Sequence, residues 1–441
     1  MVHYQRLRSA LARRLPDGLT LVSGGRHVAR NRDVDYVFRQ RSDFLYLTGV
    51  EEAGCALLID PKRRRHTLFL PRIDNHHRVW LGHVPDARQA KTLYGFSRVL
   101  YTDQIPAAVK QARAGYRRAY ADEAVYRKAK KTLKLQNRPA ALRDALDELR
   151  ACKTPEELEF MRRASEVSGR AHVAVMRATR PGMREYEVQA VFESECLRAG
   201  FKHLAYPSIV AAGANAAVLH YHANNAELKD NALLLIDAGA ECKGYAADIT
   251  RTFPVSGRFT RRQRDIYSIV LETQKRCIQK ARPGIVSADL HVYSMTIIAE
   301  GLKSLGLLRG DTSGLIENGA VRLFYPHGLT HMLGLDVHDT TGGKKRAMPN
   351  PTKVPVRFVA RLEPGFVITM EPGIYFIAAL LQDPGLRRKH KDSVDFAKVE
   401  KFLDFGGVRI EDDVVIQADG PPRNLTAVPK EIAAVEAACE R

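Results

Sequence analysis

The segment from Leu233 to Thr252 constrains this chain more than any other. An apolar run, Leu233-Leu234-Leu235-Ile236, ends on Asp237. A short turn follows at Glu241-Cys242-Lys243-Gly244, and a second extended stretch carries Asp248. With Cys242 and Lys243 as the turn of an antiparallel hairpin, Asp237 and Asp248 face each other on one side of the sheet. A bulge at Gly244 would move that register by one. Two carboxylates directly opposite repel, and a divalent cation between them removes the conflict. The competing reading is one solvent-facing carboxylate and one belonging to the turn. This segment alone weighs the two evenly.

Three further segments tip the balance. Pro326-His327-Gly328-Leu329-Thr330-His331 and the following Met332–Asp339 stretch hold His327, His331 and His338 among glycines that allow close approach. One histidine in an apolar stretch is ordinarily a core residue; a group of three points to a site. Phe366-Val367-Ile368-Thr369-Met370-Glu371 is an apolar strand ending on a carboxylate, and a buried carboxylate is costly unless paired or bound to metal. Glu363-Pro364-Gly365, by contrast, reads as a plain turn. In Gly406-Gly407-Val408-Arg409-Ile410-Glu411, strand alternation puts Arg409 and Glu411 on one face and Val408 and Ile410 on the other. A simple surface ion pair is the alternative there. Together, four carboxylates and one histidine form an oxygen-rich ligand set. It suits hard or borderline divalent ions, manganese first, with zinc, cobalt or magnesium as other candidates. Two bridging carboxylates imply two metals, about 3.5–4 Å apart in such sites.

A length of 441 residues suggests two or three domains. The N-terminal stretch MVHYQRLRSALARRLPDG reads as an amphipathic helix with Leu7, Leu11 and Leu15 on one side. Residues 18–150 alternate apolar runs, such as Cys55–Ile59 and Thr67–Leu70, with helix-like stretches, which predicts a small α/β domain over 1–152. At Lys153-Thr154-Pro155-Glu156-Glu157, an N-cap, a first-position proline and a capping-box glutamate open a helix that should stop by Arg180-Pro181-Gly182. A second domain, 153–441, begins there. The six cysteines are scattered, which predicts a reducing, cytoplasmic setting. No apolar run is long enough for a membrane span. The formal charge is +19, but the runs Lys62–Arg65 and Arg127-Lys128 with Lys130-Lys131 are short and lack stacking aromatics. They read as a solvated basic surface, with no nucleic acid as partner.

The order Asp237, Asp248, His331, Glu371, Glu411 resembles the pita-bread metallopeptidases: methionine aminopeptidase, aminopeptidase P, prolidase and creatinase. The strings IDAGAECKGYAADITRTFPVSG, HGLTHMLGLDVHD, EPGIYF and GGVRIEDDVVI carry the likeness. Creatinase lacks this ligand set, and methionine aminopeptidase lacks such an N-terminal domain. The resemblance implies an α/β (α+β) chain, a small N-terminal domain followed by a pita-bread catalytic domain, cutting the bond between a first residue and a following proline. Proline has no amide N–H, so a peptidase relying on that donor fails. Within the family, Arg39-Gln40 with Ser42–Gly49 is similar to aminopeptidase P. EEAGCALLID with TLFLPRIDNHHRVWLG, and the long segment from Tyr375 to Phe405, lean towards prolidase. Prolidase is the preferred expectation and aminopeptidase P, acting on longer peptides, the alternative. A remote alternative is a non-catalytic basic binding module.

The resemblance also implies roles. Asp237 chelates one metal, Asp248 and Glu411 bridge both, and His331 and Glu371 hold the second. Glu371 shuttles a proton to the leaving nitrogen, and His338 stabilises the oxyanion. His220 and His327 are supporting or substrate-binding histidines, and Arg409 orients Glu411. Tyr375 contacts the intermediate or packs. Arg357 meets a dipeptide carboxylate, and Trp80 lines a pocket and can reach a partner subunit. A homodimer or homotetramer acting on short proline-containing peptides is the implied assembly.

Overall fold

The computed structural model describes residues 2–129, 139–356 and 358–440. It falls into two compact units, Met1–Arg150 with Gly342–Lys345, and Ala151–Thr341 with Arg346–Arg441. No helix among the described residues is long and apolar enough to cross a membrane. Lys130 and Lys131 of the second basic run, and Arg357, lie outside the described residues.

The N-terminal unit begins with the helix Val2–Arg14, which buries Leu7 and Leu11. Its five-stranded sheet has the order Arg98–Tyr101, Arg65–Leu70, Ala56–Asp60, Gly18–Ser23, Arg118–Ala121. The three central strands pair antiparallel, and the outer two join in parallel. Leu19, Leu21, Ala56, Leu58 and Phe69 cluster with Ala108, Val109 and Ala112 of the helix Ile105–Arg113. Leu57, Ile59 and Leu68 on the other face are buried as well. Burial on both faces is why these strands read as unbroken apolar runs.

The second unit opens as its capping chemistry dictates. Thr154 Oγ1 accepts the Glu157 N–H at 3.3 Å, and the Glu157 carboxylate accepts the Thr154 N–H at 2.9 Å. Such a cap contributes about 1 kcal/mol. The helix Pro155–Ala178 lays Val167, Ala171 and Val175 into a core shared with Val188 and Phe192 of the helix Glu185–Arg198. The helices Arg261–Lys280 and Ser287–Ser304 add Ile266, Val270, Met295 and Ile298. Leu234 and Ile236 reach this core from the middle strand of an antiparallel sheet, Thr250–Pro254, Leu233–Asp237, Ile209–Ala212. A second sheet joins Val367–Met370, Asp412–Val415 and Arg423–Asn424, and Gly373–Tyr375 pairs with Gly407–Arg409.

The hairpin register differs from the expected one. Glu241 pairs with Ala246 and Cys242 with Tyr245, so the turn is Lys243-Gly244 rather than Cys242-Lys243. Both turn residues are left-handed, with φ of 52° and 82°, which matches the twist that tight hairpins need. Each facing pair therefore moves by two positions: Asp237 lies opposite Thr250, and Asp248 opposite Gly239. A shift of two preserves the face, so the two carboxylates remain together as diagonal neighbours. Gly239 is required, because a Cβ there would lie 1.9 Å from the Ala247 carbonyl oxygen.

Candidate metal centre

Five chain segments bring the ligand candidates into one cavity of about 400 Å³. Asp237 closes its strand, and Asp248 sits on the returning leg. The stretch carrying His331 runs beside Val367–Met370, with Thr369 N–H donating to the His331 carbonyl at 3.0 Å. Glu371 follows that strand and is pinned by its own N–H on the Leu329 carbonyl at 2.9 Å. Glu411 lies between two strands, its N–H on the Thr250 carbonyl at 3.1 Å. Ligand atoms of Asp248, His331 and Glu411 all lie within 4.8 Å of one another.

The protein's own donors do not balance this charge. The Tyr206 hydroxyl lies 2.7 Å from Asp237 and 2.6 Å from Asp248, yet it has one proton to donate. Arg409 donates to Asp237 at 2.6 Å, and His331 lies 3.4 Å from Asp248 and 3.6 Å from Glu371, so two cations face four carboxylates. Burial pushes the Glu371 carboxyl up to about 8, and His331 and Arg409 counter only part of this. Burial and the neighbouring Asp248 and Glu371 charges raise Glu411 well above the carboxylate range. Burial works against a charged His331, but its hydrogen bond to Asp248 and the charge of Glu371 lift it to about 9. The cluster thus holds protons where a cation of higher charge fits.

A rigid layer supports the ligands. Thr250 donates to Glu411 at 2.6 Å and accepts from Arg409 at 3.0 Å. Arg409 therefore grips Asp237 directly and reaches Glu411 through Thr250. Arg251, fully buried, donates to the Glu411 carbonyl at 2.7 Å and to the Asp412 carboxylate at 2.7 Å. Lys153 and Asp339, 3.2 Å apart and buried, anchor the segment carrying His331 and His338.

The remaining expected residues divide. His220, His327 and His338 line the cavity. The His338 ring meets that of His331 edge-on at 4.4 Å. His327 lies 3.6 Å from Glu371 and 2.8 Å from the Tyr375 hydroxyl. Tyr375 is wholly buried between His327 and Arg409 and does not line the cavity. Trp80, on the helix Asn75–Leu81 of the N-terminal unit, is 72% exposed. Tyr206 lies outside every motif read from the sequence, whereas Thr250 and Thr330 lie inside quoted motifs but were given no role.

A buried, carboxylate-rich cluster with histidines at its open side defines a metal-dependent hydrolase. The comparisons agree. Residues 159–418 match the model of metallopeptidase family M24, and residues 4–120 match the aminopeptidase P N-terminal domain. A probable Xaa-Pro aminopeptidase of Sordaria macrospora is 37% identical, over 97% of this chain and 93% of its own. Zinc-substituted Escherichia coli aminopeptidase P in complex with product superposes with a TM-score of 0.83 at 35% identity, covering 99% of this chain and 97% of that one. Proline aminopeptidase P II from Yersinia pestis gives 0.85 at 34%, covering 99% and 98%. The chain belongs to metallopeptidase family M24; it is a hydrolase with the pita-bread catalytic fold behind an aminopeptidase P-type N-terminal domain.

These names favour the alternative of the sequence analysis, aminopeptidase P, over the dipeptidase it preferred. The physical reason is visible. The long segment after Tyr375 folds into the helices Ala378–Leu381, Pro384–Lys389 and Phe396–Val399, and its Leu381, Val394, Val399 and Phe405 sit in the hydrophobic core. None of it lines the cavity. Its length serves packing in the core. EEAGCALLID and the stretch after it fall within the part matched by the aminopeptidase P N-terminal model.

Proposed function

We propose that this enzyme releases the first residue from peptides whose second residue is proline, and that it prefers chains longer than two residues. The observation that carries the reading is the convergence of Asp237, Asp248, His331, Glu371 and Glu411 in one cavity of a chain alike along its whole length to proteins named Xaa-Pro aminopeptidase. These five would hold two divalent ions, with Asp248 and Glu411 reaching both; the oxygen-rich set supports manganese. When bound, the ions supply an activated water near neutral pH and a grip on the scissile carbonyl.

The chain's own groups do the rest. Glu371, on the cavity wall 3.6 Å from His327, takes a proton and passes it to the proline nitrogen as the bond breaks. His338 and His220, at the exposed edge of the cavity, are placed to donate to the developing oxyanion and the peptide. His327, pulled down to about 3 chiefly by burial, stays neutral and can both donate and accept. The unpaired cysteines support a reducing, cytoplasmic location.

A cleavage panel with added manganese tests the substrate claim. Arg-Pro-Pro should be turned over faster than Gly-Pro; a clear preference for the dipeptide would return the assignment to prolidase.

A further inference from the structure

The N-terminal unit holds a cavity of about 760 Å³ whose charge is the reverse of the catalytic one. Arg8, Arg13, Lys62, Arg64 and His66 line it, and no described carboxylate does. Arg8 is the central case. It is 1% exposed, yet its guanidinium meets only neutral partners. Nη1 donates to the Leu47 carbonyl at 2.9 Å, Nε donates to His66 Nδ1 at 3.3 Å, and the group lies 4.1 Å over the Phe96 ring. Burial, with Arg8 beside it, pulls His66 down to about 4, so His66 is an uncharged acceptor.

A buried arginine ordinarily faces a carboxylate, as Arg251 faces Asp412. Without one, Arg8 bears the desolvation cost of its charge, and an anion from solution would offset it. The side chains around it are likewise unpaired. Lys62 Nζ donates to the Gly115 carbonyl, and Arg13 and Arg64 make no ion pair among the described residues. Their neighbour Arg63 is the contrast, bound to Asp60 at 3.0 Å. Arg64 also holds a left-handed backbone, φ 48°, where glycine or asparagine would cost less.

We propose that this cavity binds a small phosphate bearing two or more clustered negative charges, held by Arg8, Arg13, Lys62 and Arg64. Guanidinium groups match phosphate oxygens in geometry as well as charge. The volume is that of a small-ligand site, for which about 300–1,000 Å³ is usual. The Lys62–Arg65 run, which the peptidase chemistry does not use, then acquires a partner.

Calorimetric titration of the full-length, metal-loaded protein with inorganic tripolyphosphate tests this, at fixed ionic strength. A nucleoside triphosphate is titrated in a parallel arm. Saturable binding at one site per chain is expected. The Arg13→Gln/Arg64→Gln double variant, altered only at exposed side chains of the N-terminal unit, should bind at least tenfold more weakly while peptide turnover is unchanged. Chelation of the catalytic metals by the same anion would be indifferent to these substitutions. Equal binding by wild type and variant therefore overturns the proposal, as does the lack of saturable binding. Stronger binding of the nucleoside triphosphate supports an organic phosphate as ligand; stronger binding of tripolyphosphate supports an inorganic one. A short DNA duplex that binds and is not displaced by tripolyphosphate would overturn it in favour of a nucleic-acid surface.

Discussion

The two cavities have opposite unbalanced charges and are built differently. In the catalytic unit, acidic groups separated by up to 174 positions converge because each is tied to backbone pairing. Asp237 and Asp248 come from one hairpin, His331 and Glu371 flank one strand, and Glu411 is fixed through Thr250 and Arg251. In the N-terminal unit one buried arginine is fixed, and the other cations are long side chains at the surface. The first arrangement suits an ion with strict coordination geometry; the second suits an anion that flexible side chains can follow. In both, a buried charge without an internal partner is the mark of a ligand.

The largest effect expected on the acidic side is loss of turnover. Glu371→Gln cannot hold or pass a proton, and general acid–base catalysis is typically worth about 10²–10⁴ in rate. Asp248→Asn removes a ligand shared by both proposed ions and should leave no measurable turnover. Circular dichroism should show that both variants keep the fold, and metal analysis should show less metal in both, with the larger loss in Asp248→Asn, whose carboxylate would serve both ions. Full activity in either would remove that residue from its assigned role.

Tyr206→Phe should have a smaller effect. The variant keeps the ring and loses the hydroxyl between Asp237 and Asp248. Supporting hydrogen bonds of this kind are worth about 10–100-fold in metal affinity or activity. Turnover should therefore fall at limiting manganese and recover at saturating manganese. A drop that excess metal does not repair would mean that Tyr206 acts on the substrate instead.

How much of this was legible beforehand follows from where the signal lies. The five ligand candidates stood out because charged residues at the ends of apolar strands are costly, and the capping box at Thr154 and Glu157 is a local rule that local structure obeyed. The hairpin register was not legible. It depended on Lys243 adopting a left-handed backbone, which composition does not announce. Tyr206 was missed because Ala205-Tyr206-Pro207 has neither periodicity nor charge. The Arg251–Asp412 pair and the Arg8 cavity join residues far apart in the chain, so no spacing could reveal them. The dipeptidase preference rested on a likeness in segment length to prolidases, whereas that segment serves the core and the named relatives favour the alternative.

The smallest effect concerns pH, and its sign discriminates between protons and metal in the acidic cavity. Without metal, His331 is raised from 6.5 to about 9 and Glu371 from 4.5 to about 8. Both bind a proton more tightly folded than unfolded. Their contribution is full below the unfolded values and is lost as pH rises through the folded ones. His327, lowered from 6.5 to about 3, acts in the opposite sense, and its effect is complete about one pH unit above the unfolded value. The melting temperature of metal-free protein should therefore fall between pH 6.5 and 9. Each kcal/mol lost corresponds to about 2 °C in a unit of this size. Metal-loaded protein should not show the fall, because ions then stand where the protons stood and bind more tightly as pH rises. A flat or rising profile without metal would mean that the carboxylates are balanced by the protein itself, and that unpaired charge does not mark a ligand in this cavity.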